Sequence, residues 1–152
     1  MQRHKSLHPL SHQHHNGLAL GVLIRRSLDH DGSAANVRRQ CARAVTRFEH
    51  ELLNHFELEE KFLFPAIERE LGGHPLVETL LEQHRQLTAL AGTLRQDANR
   101  EDLDHFLDLL RDHIRAEENV LFQDVQDCLS ESTMDDLGAE FRARAICLRL
   151  QP

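Results

Sequence analysis

The chain of 152 residues is predicted to be all-α: an up-down-up-down four-helix bundle with a short additional C-terminal helix. Two observations predict this. Apolar residues recur at spacings of three and four along almost the whole sequence, the period of a helix with one buried face. Glycine and proline number only 7 and 4, and the breaks they mark leave long segments joined by short connections, which favour antiparallel neighbours. One domain spanning 1–152 is expected, with the bundle at about 10–128.

Each helix has a start or stop signal. Ser11 is expected to cap the first helix, because a serine oxygen satisfies free amides of the opening turn; the helix then runs to about Asp31. Gly32 to Asn36 forms a loop, and a second helix covers roughly Val37 to Leu71, ending at Gly72-Gly73. Pro65 lies inside it and removes a backbone hydrogen bond to Lys61, predicting a kink. Pro75 suits the first position of a third helix ending near Ala98. Asn99, with Asp102 three residues on, caps a fourth helix that lasts to about Cys128. A fifth helix, about 133–150, follows the Ser130-Glu131-Ser132 turn, and its Leu137, Phe141, Ile146, Leu148 and Leu150 are expected to cap the bundle. Residues before Pro9 are expected to be loosely held.

Charge and composition narrow the function. With 18 basic against 25 acidic residues the formal net charge is −7, so neither nucleic acid nor an anionic membrane is an expected partner. No apolar run approaches the roughly 18–20 residues of a membrane span, and the N-terminus lacks the apolar stretch of a secretory signal. Cys41, Cys128 and Cys147 are odd in number and far apart, which fits a reducing cytoplasm. The anomaly is 12 histidines in a chain without tryptophan or tyrosine.

An internal repeat places some of them. His55-Phe-Glu-Leu-Glu59-Glu60-Lys-Phe-Leu63-Phe64 and His113-Ile-Arg-Ala-Glu117-Glu118-Asn-Val-Leu121-Phe122 both read His-x-x-x-Glu-Glu-x-x-Leu-Phe. Residues four apart share a helix face, so each histidine and its first glutamate can grip one ion. Both pairs lie in line with apolar stripes: Cys41, Val45, Phe48, Leu52, Phe62 and Ala66 on one helix, Phe106, Leu110 and Leu121 on the other. An unpaired carboxylate there would be costly, and a metal supplies the countercharge. His84 falls on the stripe of Val77, Leu80, Leu81, Leu87, Ala91 and Leu94. On the first helix His14 is preferred to His15, because Ile24 lies ten residues after His14 and Arg25 ten after His15. Each helical hairpin then offers one lone histidine and one His-x-x-x-Glu pair, a two-fold arrangement suited to two ions bridged by the glutamates. Imidazole nitrogen with carboxylate oxygen suits iron, manganese or zinc.

These motifs, together with Leu10-Ser11-His12-Gln13-His14-His15 and Glu82-Gln83-His84, resemble the hemerythrin-like (HHE cation-binding) domains of bacteria, over about residues 7–128. The resemblance implies a four-helix bundle around two non-haem iron ions, oxo- or hydroxo-bridged, that binds dioxygen or a related diatomic such as NO; other divalent metals are compatible. By motif match the ligands would be His14, His55, Glu59, His84, His113 and Glu117. Oxygen-carrying hemerythrins supply two histidines four apart on the third helix. Here Thr88 follows His84 at that spacing and Leu80 precedes it, which leaves an open or water-filled position and favours sensing, peroxide or NO chemistry, or iron handling over reversible carriage. The overall expectation is a diatomic-binding protein for sensing, storage or protection. An enzyme turning over peroxide or NO, and an iron-responsive interaction module, are the competing readings; no side chain is singled out as catalytic.

The remaining polar residues receive plainer expectations. His4, His8 and His12 belong to a polar N-terminal segment, His74 to a loop, and His30, His50 and His105 to the surface. His50 and Glu51 lie near the site helix, where the alternatives are support of a ligand ring and the surface, with the surface expected. Glu60 and Glu118, one helical step round from the ligand glutamates, are expected to face solvent. The phenylalanines read as core. A ferritin-like site is disfavoured because Glu-x-x-His is absent, its nearest relative being Asp102-x-x-His105.

Overall fold

The computed structural model describes residues 2–148, and among them the chain is helical, with no strand. Helix α1 spans His8–His30. Its start lies ahead of Ser11 because a 3-10 turn at Lys5–Leu7, capped by His4 Nδ1 accepting from the Ser6 N–H at 3.1 Å, feeds directly into it. Ser11 instead donates to Glu118 Oε1 at 2.7 Å. The N-terminal segment is likewise fixed, contrary to expectation: Leu7 is fully buried, and Arg3 bridges Glu118 and Gln126.

Helix α2 covers 34–71, starting earlier than expected because Ser33 Oγ accepts from the Asn36 N–H at 3.2 Å and caps it. It contains two π-helical turns, Phe48–Leu52 and Glu59–Leu63. The second ends with the Phe64 N–H bonded to the Glu59 carbonyl, five residues back. Pro65 sits just beyond it, so the missing proline N–H falls where the hydrogen-bond register is already changing. Gly72, at φ +75°, closes the helix in the left-handed conformation that glycine adopts without penalty. Pro75 lies in the turn from His74 to Val77, not inside a helix, and α3 spans Val77–Gln96. Helix α4 covers 100–128. Asn99 Oδ1 accepts from the Asp102 N–H at 2.8 Å, as its sequence predicts, and a π turn at Glu117–Leu121 repeats the one at Glu59.

Helix α5, Glu131–Arg144, is capped by Ser130, whose Oγ accepts from the Thr133 N–H. It ends before the predicted 150: Ala145 takes an extended backbone conformation, and residues 146–148 continue outside any helix. The reason is that backbone groups of this segment are taken by side chains of α1 and α2, which replace the bonds a further helical turn would make. Ile146 is consequently exposed, and Leu150 lies outside the described residues. Ser130→Ala is expected to destabilise the protein by about 1 kcal/mol through loss of the cap; a urea midpoint equal to that of the parent would contradict this.

Helix α1 packs on α2 and α4, and α3 packs on the same two. Their interior divides into two apolar clusters. One holds Leu20, Ile24, Phe48, Leu52, Leu87, Phe106 and Leu110. The other holds Leu10, Leu63, Ile67, Leu80, Leu121 and Phe122, covered by Met134, Leu137 and Phe141 of α5. Gly138 lets α5 approach the N-terminal turn: a Cβ there would stand 2.6 Å from Ser6 Oγ. Between the clusters, on all four long helices, lies a layer of histidine and glutamate. No helix among the described residues is long and apolar enough to cross a membrane.

Candidate metal centre

Each helix delivers its polar residue by interrupting an apolar stripe. His14 falls between Leu10 and Leu20, His55 between Leu52 and Leu63, His84 between Leu80 and Leu87, and the pair His113–Glu117 between Leu110 and Leu121. Glu59, His113 and Glu117 have no exposed surface, and His14, His55 and His84 are at most 3 % exposed. His15 points to solvent, so of the two adjacent histidines only His14 reaches the layer. His12, His30, His50 and His105 are exposed.

The six buried residues converge as two overlapping groups. His14, His55, Glu59 and Glu117 form one; Glu59, His84, His113 and Glu117 form the other. In each, the donor atoms lie within 4.8 Å of one another. Glu59 Oε1 stands 3.2 Å from both His55 Nε2 and His84 Nε2. Glu117 Oε2 is 2.7 Å from His14 Nε2, and its Oε1 is 3.0 Å from His113 Nε2. Both carboxylates are therefore common to both groups.

These contacts leave the atoms unsatisfied as hydrogen-bonding groups. Nε2 of His14, His84 and His113, both Glu59 oxygens and Glu117 Oε1 are buried without a hydrogen-bond partner. Orphaned buried polar atoms are costly and uncommon, and here they all face one volume. A pair of divalent cations would satisfy all of them, so the donor set fits such ions.

The outward ring nitrogens are fully accounted for. His14 Nδ1 lies 2.6 Å from Glu118 Oε1, His84 Nδ1 3.1 Å from Glu60 Oε2, His55 Nδ1 2.9 Å from Gln13 Oε1, and His113 Nδ1 2.8 Å from Gln83 Oε1. Each acceptor takes a hydrogen bond from Nδ1–H, so Nε2 is the ring nitrogen left to face a metal, the usual support of a metal-bound imidazole. The pattern is two-fold: each glutamine precedes one lone histidine and holds the paired histidine of the same hairpin, while each glutamate follows a caged glutamate and holds a lone histidine of the other hairpin.

Glu118 thus corrects an expectation, while Glu60 is exposed as expected and still reaches the cage. Glu118 also accepts from Ser11 and Arg3 and is largely buried, whereas Glu60 remains half-exposed while touching His84. Both follow the first residue of a π turn, where the chain advances by less than the α-helical step and keeps the next side chain near the same face. The same widening makes Leu63 fully buried and leaves Phe62 only partly so. Glu51 is likewise fully buried, not at the surface. The signal for the four outer partners lies in the repeat itself, since Gln-His occurs at 13–14 and 83–84 and Glu-Glu at 59–60 and 117–118.

Aromatic rings cover the cage. Phe56 stacks on His84 with ring centroids 3.9 Å apart, and Phe122 stacks on His14 at 5.3 Å. A surface groove of about 870 Å³, lined by Phe56, Glu60 and Thr88, reaches His84. Without a cation the cage is a lattice of charge. Burial disfavours the charged form of His55, but Glu59 beside it and contact with Glu117 outweigh burial and push its pKa up to about 10. For Glu117, burial favours the neutral acid, yet the His113 charge and contacts with His14 and His55 hold it well below the usual carboxylate range.

The family model described as the Hemerythrin HHE cation binding domain matches residues 6–125. No curated protein and no solved structure matches the chain.

Proposed function

The chain belongs to the hemerythrin HHE cation-binding family, and on that premise we propose that it is a non-haem di-iron protein that binds dioxygen, or a related diatomic such as NO, for sensing, storage or protection. The observation that carries this reading is the pair of donor groups sharing Glu59 and Glu117. His14 and His55 would hold one ion and His84 and His113 the other, with Glu59 and Glu117 available to both. Iron bound there would supply the redox activity and open coordination that a diatomic ligand needs. The chain's own residues do the rest: Glu60, Glu118, Gln13 and Gln83 orient the imidazoles, and Phe56 and Phe122 exclude water. In this reading the four long helices run up-down-up-down within a single domain, and the unpaired cysteines fit a cytoplasmic setting.

Anaerobic loading with ferrous iron is expected to give two ions per chain, and air or NO to change the visible spectrum. With no tryptophan or tyrosine in the chain, near-ultraviolet and visible absorption reports almost wholly on the centre. Zero or one ion after clean reconstitution would refute the paired site.

The groove reaching His84 favours a second reading, an enzyme that turns over peroxide or NO at this centre. Sustained turnover by the iron-loaded protein would select it, and a spectral change without turnover would select binding.

A further inference from the structure

The non-helical segment 145–148 is held by side chains that bind its backbone. Asn54 donates to the Arg144 carbonyl at 3.1 Å and accepts from the Ile146 N–H at 2.9 Å. Gln13 donates to the Ile146 carbonyl at 2.9 Å. Glu51 accepts from the Leu148 N–H at 2.7 Å, and Asn16 donates to the Leu148 carbonyl at 3.1 Å. Alternate residues of the strap are thus gripped from α1 and α2, and Gln13 and Glu51 have no exposed surface.

Gln13 connects the strap to the cage. Its amide nitrogen has two hydrogens, one given to Ile146 O and the other to Asn54 Oδ1 at 2.8 Å. With both used, the amide oxygen is directed at the Nδ1–H of His55. Once the strap leaves, one hydrogen loses its acceptor and the amide is freer to turn away from His55. The other hairpin is built differently: Gln83 holds His113, but its amide nitrogen has no hydrogen-bond partner among the described residues. The two-fold cage is therefore buttressed by the strap on one side only.

We infer that Gln13 is a positioning residue for His55 whose orientation is set by the 145–148 strap, so that strap docking and metal capture by the His14–His55 group promote each other. This rests on the metal-binding reading. The coupling is reciprocal by thermodynamic necessity: whatever the strap adds to metal affinity, metal adds to strap docking.

The test uses the full chain, its Asn54→Ala and Ile146→Pro variants, and ferrous iron as the probe. Neither variant alters a residue of the cage or its outer partners; Ile146→Pro removes a strap bond alone, and Asn54→Ala removes strap bonds together with the second acceptor of Gln13. Metal is expected to slow hydrogen exchange at the Leu148 amide of the parent protein. In both variants one of the two ions should pass to a chelator about 10-fold faster, the lower end of what losing an outer partner costs, while the second ion leaves at the parent rate. A general loosening of the fold would instead speed both ions, and that outcome overturns the proposal. Equal exchange at Leu148 with and without iron, or parental retention of both ions in both variants, overturns it as well. Failure of the parent to take up iron refutes the metal reading and the coupling with it.

Discussion

Glu59→Gln is expected to empty both metal positions at once, whereas Glu60→Gln leaves two ions in place. A single Glu59 oxygen stands 3.2 Å from imidazole nitrogens of both donor groups, so the substitution removes a shared charge and offers each position an amide in its place. The loss cannot be confined to one position, because Glu117 is the only other carboxylate in either group. Glu60 lies one residue away and accepts only from the outward nitrogen of His84; a glutamine there keeps an acceptor oxygen. Metal content after dialysis decides the matter. One ion retained by the Glu59 variant would mean that the two groups do not share this residue.

In the metal-free protein, stability is expected to fall as pH rises from 6.5 towards 10, while metal affinity rises over the same interval. His55 has its pKa raised from 6.5 to about 10. A group with a raised folded pKa contributes stability that is fully present below its unfolded value and lost as pH climbs through the folded one. Each unit of separation is worth about 1.4 kcal/mol, so the loss spans a wide alkaline window. Glu117 works from the other side: its lowered pKa gives stability that is present above 4.5 and lost as pH falls through its folded value. The metal-free protein should thus be most stable between 4.5 and 6.5. Metal must displace the protons on Nε2, which gives the opposite slope for binding. Thermal midpoints at pH 6 and 9.5, paired with metal titrations at the same values, test both signs. A midpoint that stays level or rises at pH 9.5 would contradict the charged lattice inferred for the metal-free cage.

The all-helical architecture was legible because the apolar period is strong, and the shortage of glycine and proline left few places for a break. The six convergent residues were legible for a related reason. Each occupies an apolar stripe where a polar side chain has no business without a partner, and the ten-residue spacing from His14 to Ile24 separated it from His15. Less legible was anything that depended on departures from α-helical geometry. Propensity does not announce a π turn, so counting 100° steps places Glu118 in solvent although the chain does not take those steps there; Glu60 is exposed as counted, and only its contact with His84 is missed. The strap was hidden for a different reason: Ile146 and Leu148 continue a helical apolar pattern, and only the tertiary arrangement of Asn54, Gln13, Asn16 and Glu51 offers their backbone a better set of bonds. Likewise, nothing in the residues before Pro9 predicts that Arg3 is held by Glu118 from more than 100 residues away.

The layer of histidine and glutamate between the two apolar clusters has a mechanical consequence. Most of a helical bundle is held by continuous oil, so that pulling on one end loads the whole. Here the oil is interrupted at mid-height, and the halves meet across charged groups whose attraction depends on protons and cations in the medium. The molecule has a seam. All four long helices run through it, so the ends stay tethered, and the packing at mid-height depends on the protons and cations that the medium supplies.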